Sequence, residues 1–202
     1  KLVVWKDVPG VLDADPRYFE NPKKLEKISF EEAIELAFYG ATVIHPKTLQ
    51  PLKRNAIPLE VRSFINFEEK GTWISDDSVT NPATSFYILK KNQTLLSLSV
   101  IDLGFMLENH LSSAFLILDK YNAKVNIVQN SAVSCAFALD VDDLQMDALV
   151  HELSEHFILT HRSGLELLTV RHYKNEEVNQ LLKGKEVLLT QTNTKTIQVL
   201  YQ

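Results

Sequence analysis

One polar stretch does most to constrain how this chain can fold. Residues 75–83 (Ser-Asp-Asp-Ser-Val-Thr-Asn-Pro-Ala) carry a proline, lack any apolar period and read as a linker. On the N-terminal side, strands and helices alternate. Leu2–Trp5 is a strand-like apolar run. Ser29 and Glu32 form a capping box, and the helix they start runs to Phe38 or Tyr39 with Phe30, Ala33, Ile34, Ala37 and Phe38 on one face. Gly40 is a natural stop. Val43-Ile44 is a short apolar step, and Pro46 opens a second helix to about Arg54. Ile57–Phe64 and Gly71–Ile74 read as strands. This alternation describes an α/β sheet flanked by helices.

Beyond the linker the order changes. Phe86–Leu89 and Thr94–Ile101 read as two strands. Leu111, Ala114, Phe115 and Leu118 at helical spacing predict a helix over 111–121. Val125–Val128 and Val133–Leu139 are strands joined through Asn130-Ser131-Ala132, and a second helix runs from Leu144 to about His156. The order partly repeats with a strand at Leu165–Val170, a helix at Asn175–Leu182 and strands at Glu186–Thr190 and Ile197–Tyr201. Such βαββ units make a small antiparallel sheet with helices on one face. The second unit is one strand short. Phe86–Leu89 would complete it, nesting the first unit (about 93–162) inside the second (about 84–92 plus 163–202).

A net charge of −5 counts against a nucleic-acid partner, which would need a basic face. The single Cys135 excludes an internal disulfide and fits a reducing, cytoplasmic compartment. No apolar run reaches the length of a membrane span. There is no initiator Met, and a motif begins almost at once, so the chain is expected to be the C-terminal piece of something larger. That motif is Trp5-Lys6-Asp7-Val8-Pro9-Gly10, followed by Asp15-Pro16-Arg17. A turn carboxylate can accept ribose hydroxyls, and an arginine fork suits phosphate. His151 and His156 do not share a helical face, and no ligand set accompanies them or His161 and His172, so no protein metal site is expected.

These residues resemble a family. The Trp5–Val11 run, Asp15-Pro16-Arg17, the Phe30-Glu31-Glu32-Ala33 helix, Tyr39–Pro46 (Tyr-Gly-Ala-Thr-Val-Ile-His-Pro) and Gly71-Thr72 closely resemble the end of the catalytic domain of aspartokinases. Lys90–Leu96 resembles the segment leading into their regulatory part, a pair of nested ACT domains that sense amino acids. The resemblance implies a mixed α/β and α+β fold: the tail of an amino-acid-kinase domain, then two nested ferredoxin-like βαββαβ ACT domains. The implied boundaries are 1–75 for the kinase tail, 76–92 for the linker and first strand of the second ACT domain, 93–162 for the first ACT domain and 163–202 for the remainder of the second. The family phosphorylates L-aspartate with ATP and Mg on the way to lysine, threonine and methionine. No Lys-Phe-Gly-Gly-Thr-Ser run is present, so the chain alone is expected to lack kinase activity.

Residue by residue, the resemblance assigns nucleotide contacts to Lys6, Asp7, Leu12, Arg17 and Thr42, and no catalytic residue. Leu12 stands where the family usually has tyrosine, and Thr42 where it has lysine. Effector contacts fall on Met106, Leu107, Asn109, His110 and Leu111, and on the facing Asn126, Gln129, Asn130 and Ser131. Asn126, Gln129 and Asn130 also read as groups that simply satisfy a sheet edge. Acidic residues of lysine-sensitive members are missing near Asn126 and Ala132, while Gln129-Asn130 is similar to threonine-responsive members. The implied partners are an amino-acid effector (threonine in preference to lysine) and a second copy of the chain through the ACT domains, with no nucleic acid and no membrane. The alternative is a non-catalytic ACT module that dimerises and binds no small molecule.

Overall fold

The computed structural model describes residues 1–41, 44–77, 84–101 and 104–202. In chain order its elements are β1 (Leu2–Lys6), β2 (Lys27–Ile28), α1 (Phe30–Tyr39), α2 (Pro46–Arg54), β3 (Leu59–Ser63), β4 (Thr72–Ile74), β5 (Phe86–Val100), α3 (Glu108–Lys120), β6 (Lys124–Asn130), β7 (Ser134–Asp140), α4 (Asp143–Ser154), β8 (Phe157–Arg171), α5 (Asn175–Leu181), β9 (Val187–Thr192) and β10 (Thr196–Tyr201). They form two compact units. The first comprises residues 1–89, 168–183 and 193–197, and the second 90–167, 184–192 and 198–202.

The first unit holds a four-stranded sheet in the order β1-β3-β4-β2. β1 runs parallel to β3, from Leu2 opposite Leu59 to Lys6 opposite Ser63, and β3 is antiparallel to β4. Along β3, Leu59, Val61 and Ser63 are buried and the residues between them are not, the period of two that a sheet with one core face imposes. Ser29 caps α1 as the sequence predicts: its Oγ accepts the Glu32 N–H at 3.1 Å. Gly40 ends the helix in the left-handed region, at φ 117°, and donates to the Leu36 and Ala37 carbonyls. His45 caps α2, its Nδ1 accepting the Lys47 N–H at 3.1 Å, with Pro46 at the first helical position. Ile28, Phe30, Leu36, Leu49, Leu59, Val61, Ile74 and Phe86 build the core.

The second unit is organised on a six-stranded sheet in the order β6-β7-β5-β8-β10-β9, of which residues 86–89, 168–171 and 196–197 count with the first unit. β7 is antiparallel to both β5 and β6, and a bulge between Val125 and Ile127 shifts the β6 register. Leu96, Leu98, Phe137 and Leu139 of the sheet pack with Leu118 of α3 and Leu149 and Leu153 of α4. A second cluster joins Ile127, Ala138, Leu165, Leu167, Leu189 and Leu200.

Several elements differ from the sequence expectation. The two-residue strand β2 (Lys27–Ile28) was not expected. Phe38, expected on the inward face of α1, is exposed, because the buried face follows Phe30, Ala33 and Leu36. Phe86–Val100 is one strand and not two, because Asn92 takes a left-handed φ of 56° inside β5 and Gln93 is buried. In sequence, Lys90-Lys91-Asn92-Gln93 is indistinguishable from a polar turn. β8 starts at Phe157, and its first half is concealed by the polar run Thr160–Gly164. α3 starts at Glu108, because His110 Nδ1 accepts the Leu107 N–H at 3.1 Å and closes an extra turn. The Val43 part of the expected apolar step and residues 78–83 of the expected linker lie outside the described residues.

Candidate functional site

β1 delivers the motif turn. The Lys6 carbonyl accepts the Phe64 N–H at 2.8 Å, and the chain then turns through Asp7–Gly10. The buried Thr72 anchors this turn: its Oγ1 accepts the Val11 N–H at 2.8 Å and donates to the Leu25 carbonyl at 2.6 Å. A Cβ at position 10 would lie 2.5 Å from that same Oγ1, so the contact admits only glycine. Residues 11–13 then lie antiparallel to 23–25, with Leu25 N–H on the Val11 carbonyl and Asp13 N–H on the Lys23 carbonyl. Next comes the Asp15-Pro16-Arg17 turn, where Asp15 Oδ1 accepts the Arg17 N–H at 2.9 Å. The Arg17 guanidinium folds onto the same carboxylate, Nη2 to Oδ2 at 2.6 Å and Nε to both oxygens at 3.0 Å. Those hydrogen bonds hold the Asp15 carboxyl below its usual range.

These pieces enclose a cavity of about 490 Å³ lined by Asp7, Leu12, Asp15, Arg17, Leu36 and Gly40, among others. Three of the sequence-predicted nucleotide residues therefore share one space: Asp7, Leu12 and Arg17. Lys6 is half-buried at the end of β1 and does not line it. Thr42 lies outside the described residues. Two aromatic rings on the wall, Tyr18 and Tyr87, were not assigned from sequence. Tyr18 follows the Asp-Pro-Arg motif directly, a signal that was available. Tyr87 belongs to a strand distant in sequence, and no local pattern marks it.

A neighbouring cavity of about 790 Å³ shares Asp13 and Tyr87 and is bounded by Lys174, Glu177 and Gln180. There the Tyr87 hydroxyl donates to Glu177 Oε2 at 2.6 Å, and Lys174 Nζ donates to Oε1 at 2.8 Å. Burial, with Glu177 beside it, pushes the Tyr87 phenol up to about 12.

In the second unit the Met106 N–H donates to the Ala132 carbonyl at 2.9 Å, which lays the loop before α3 beside the β6–β7 turn containing Ser131. Met106 is buried, Leu107 and Asn109 are exposed, and Leu111 packs on the core. Gln129, Asn130 and Ser131 are exposed. Asn126 stands apart from them, roughly 13 Å from Asn130 at the usual rise of a strand. Its Oδ1 accepts from Lys90 Nζ at 2.7 Å, and its Nδ2 donates to Gln93 Oε1 at 2.6 Å. Burial, then the charge of Lys124, pushes the Lys90 ammonium down to about 8.

Residues 1–63 match the amino acid kinase family. Over 181 residues the chain is 34% identical to the lysine-sensitive aspartokinase 3 of Escherichia coli, covering 84% of this chain and 39% of that protein. Its fold superposes on Escherichia coli aspartokinase III in complex with aspartate and ADP, with a TM-score of 0.82 at 30% identity over 98% of this chain and 48% of that one. This chain is homologous to the aspartokinases. The form of the same Escherichia coli enzyme in complex with lysine and aspartate gives a TM-score of 0.79, also at 30% identity, over 98% of this chain and 47% of that one. The chain thus spans 39% and 31% of the length of two curated aspartokinases that it matches, those of Escherichia coli and Arabidopsis thaliana. Among the described residues no helix is long and apolar enough to cross a membrane, and no group of three or more His, Cys, Asp or Glu is placed to hold a metal.

Proposed function

We propose that this chain is the regulatory portion of a cytoplasmic aspartokinase and contributes part of that enzyme's nucleotide site. The observation that carries the reading is the single cavity shared by Asp7, Leu12 and Arg17, in a chain homologous to an enzyme solved with ADP. The parent reaction joins a β-carboxylate oxygen of L-aspartate to the γ-phosphorus of Mg-bound ATP and breaks the bond to the bridging oxygen, releasing ADP. In this chain Asp7 accepts ribose hydroxyls. Arg17, oriented by Asp15, presents its guanidinium edge to phosphate. Lys6 and Thr42 complete the nucleotide contacts, and Tyr18 offers the aromatic face that Leu12 does not. Mg arrives with the nucleotide.

Residues 1–75 act as the kinase tail, 93–162 as the first ACT domain, and 76–92 with 163–202 as the second. The effector site lies on the loop Met106–Leu111 and the turn Gln129–Ser131, in a homodimer formed through the ACT domains. The neutral Gln129-Asn130 pair, with no carboxylate at Asn126 or Ala132 to hold an ammonium, favours a neutral effector. Threonine is the proposed ligand. Binding it to one of two arrangements more tightly than to the other lowers catalytic competence by linkage.

The test is a thermal-shift titration with threonine, lysine and methionine in matched ionic strength. A ligand at one hundred times its Kd stabilises by roughly 2.7 kcal/mol. Saturable stabilisation by threonine supports the reading. Stabilisation by lysine alone overturns the choice of effector, and no shift with any of the three indicates an assembly module without a ligand.

A further inference from the structure

Glu32 was expected only to cap a helix. Its carboxylate instead grips Arg171, at the end of β8 and 139 positions away in sequence, and the two side chains are 7% and 5% exposed. Arg171 Nε donates to Oε2 at 2.9 Å and Nη2 to Oε1 at 2.6 Å, a two-pronged pair. Its Nη1 donates to Glu35 Oε2 at 3.0 Å and to Thr196 Oγ1 at 3.2 Å. Burial alone would raise the Glu32 carboxyl, but the hydrogen bonds and charge of Arg171 outweigh it and hold that carboxyl below its usual range.

The next residue is equally constrained. His172 takes a φ of 50°, donates its N–H to the Lys195 carbonyl at 2.6 Å and accepts Ser85 Oγ on its own carbonyl at 3.0 Å. Its Nε2 approaches Glu32 Oε2 to 3.3 Å at an angle that makes no hydrogen bond. The backbone on the β8 side is therefore pinned, and the guanidinium has a fixed origin.

A buried pair of this kind adds little net stability over an apolar substitute, yet breaking it leaves an uncompensated charge. What it supplies is position. Glu32 lies one turn before Leu36 on α1, and Leu36 and Gly40 form the wall of the 490 Å³ cavity that also holds Asp7 and Arg17. Resting on the nucleotide reading above, we propose that Arg171 is a positioning residue for that cavity. Its fork on Glu32 and Glu35 sets the rotation and height of α1, and so the wall that faces Asp7 and Arg17. Lysine can replace it only in part, because an ammonium keeps the charge but is not a planar fork.

The test compares the unmodified chain with Arg171→Lys and Arg171→Met. ADP affinity is measured by calorimetry well below each melting midpoint, and hydrogen exchange is measured at the α1 amides. The expected result is ADP binding weakened by about fivefold or more in Arg171→Met, an intermediate loss in Arg171→Lys, and faster α1 exchange in both. A purely structural Arg171 would lower the midpoint and leave ADP affinity of the folded protein unchanged, which overturns the proposal. If Arg171→Met does not fold, Arg171→Lys and Glu35→Gln carry the same comparison. Absence of ADP binding by the unmodified chain is a separate outcome: it refutes the nucleotide reading, and the role of Arg171 in setting that site falls with it.

Discussion

The proposed nucleotide cavity and the proposed effector site are built on opposite plans. Around the cavity the backbone leaves almost no freedom. Thr72 ties the motif turn to Leu25, Gly10 touches Thr72, and Asp15 locks Arg17. At the proposed effector site most groups are exposed and the bonds are local: Ser131 bonds within its own turn to Ser134, one backbone bond from Met106 to Ala132 aligns loop and turn, and His110 spends its side chain on capping α3. Asn126, held by Lys90 and Gln93, lies away from the turn. A site whose geometry is fixed in advance suits a ligand that must be held in register for chemistry. A loosely bonded site suits a ligand whose binding must reorganise its surroundings.

The contrast can be broken most forcefully at Gly71. A Cβ there would lie 1.9 Å from the Val61 carbonyl oxygen, so Gly71→Ala is expected to destabilise the first unit by about 3 kcal/mol or more, measured by urea unfolding. Next is Thr72→Val, which keeps the shape but leaves the Val11 N–H and Leu25 carbonyl unpaired. It should destabilise by about 2 kcal/mol, whereas Gln129→Ala at the exposed end of β6 should stay within about 0.5 kcal/mol. Equal effects at these two positions would dissolve the distinction between the sites.

A smaller effect concerns Lys90. Its folded value, about 8, lies below the ordinary 10.5, so between those two values the unfolded chain holds more protons than the folded one. Stability contributed by this group therefore rises as pH rises through that window and is lowest below it. Compared with Lys90→Met in a pH series of melting midpoints, the unmodified chain should gain relative stability from pH 8 to 10.5. Parallel curves would show that Lys90 is not buried as described. The smallest effect is expected from Asp15→Asn, since Arg17 is largely exposed and solvent screens its pair with Asp15. Its melting midpoint should hardly move while its ADP affinity falls.

Legibility followed the range of the interactions. The α1 cap, the Gly40 stop and the Pro46 start were readable because each depends on neighbours within four residues. Asp7 and Arg17 were readable because a turn motif holds both. The continuity of β5 was hidden, since a left-handed Asn92 inside a strand has the same local sequence as a turn. Arg171 on Glu32 was hidden for a stronger reason. A buried ion pair spanning 139 positions leaves no periodic or spacing signal, and Glu32 already had a sufficient local role.

The most direct test of the central claim is calorimetric titration of ADP with Mg into the unmodified chain and into Arg17→Met. The account predicts saturable binding that weakens at least about tenfold when the guanidinium is removed, roughly 1.4 kcal/mol, with an unchanged melting midpoint. Binding of equal strength in both proteins, or no saturable binding by the unmodified chain, would contradict it.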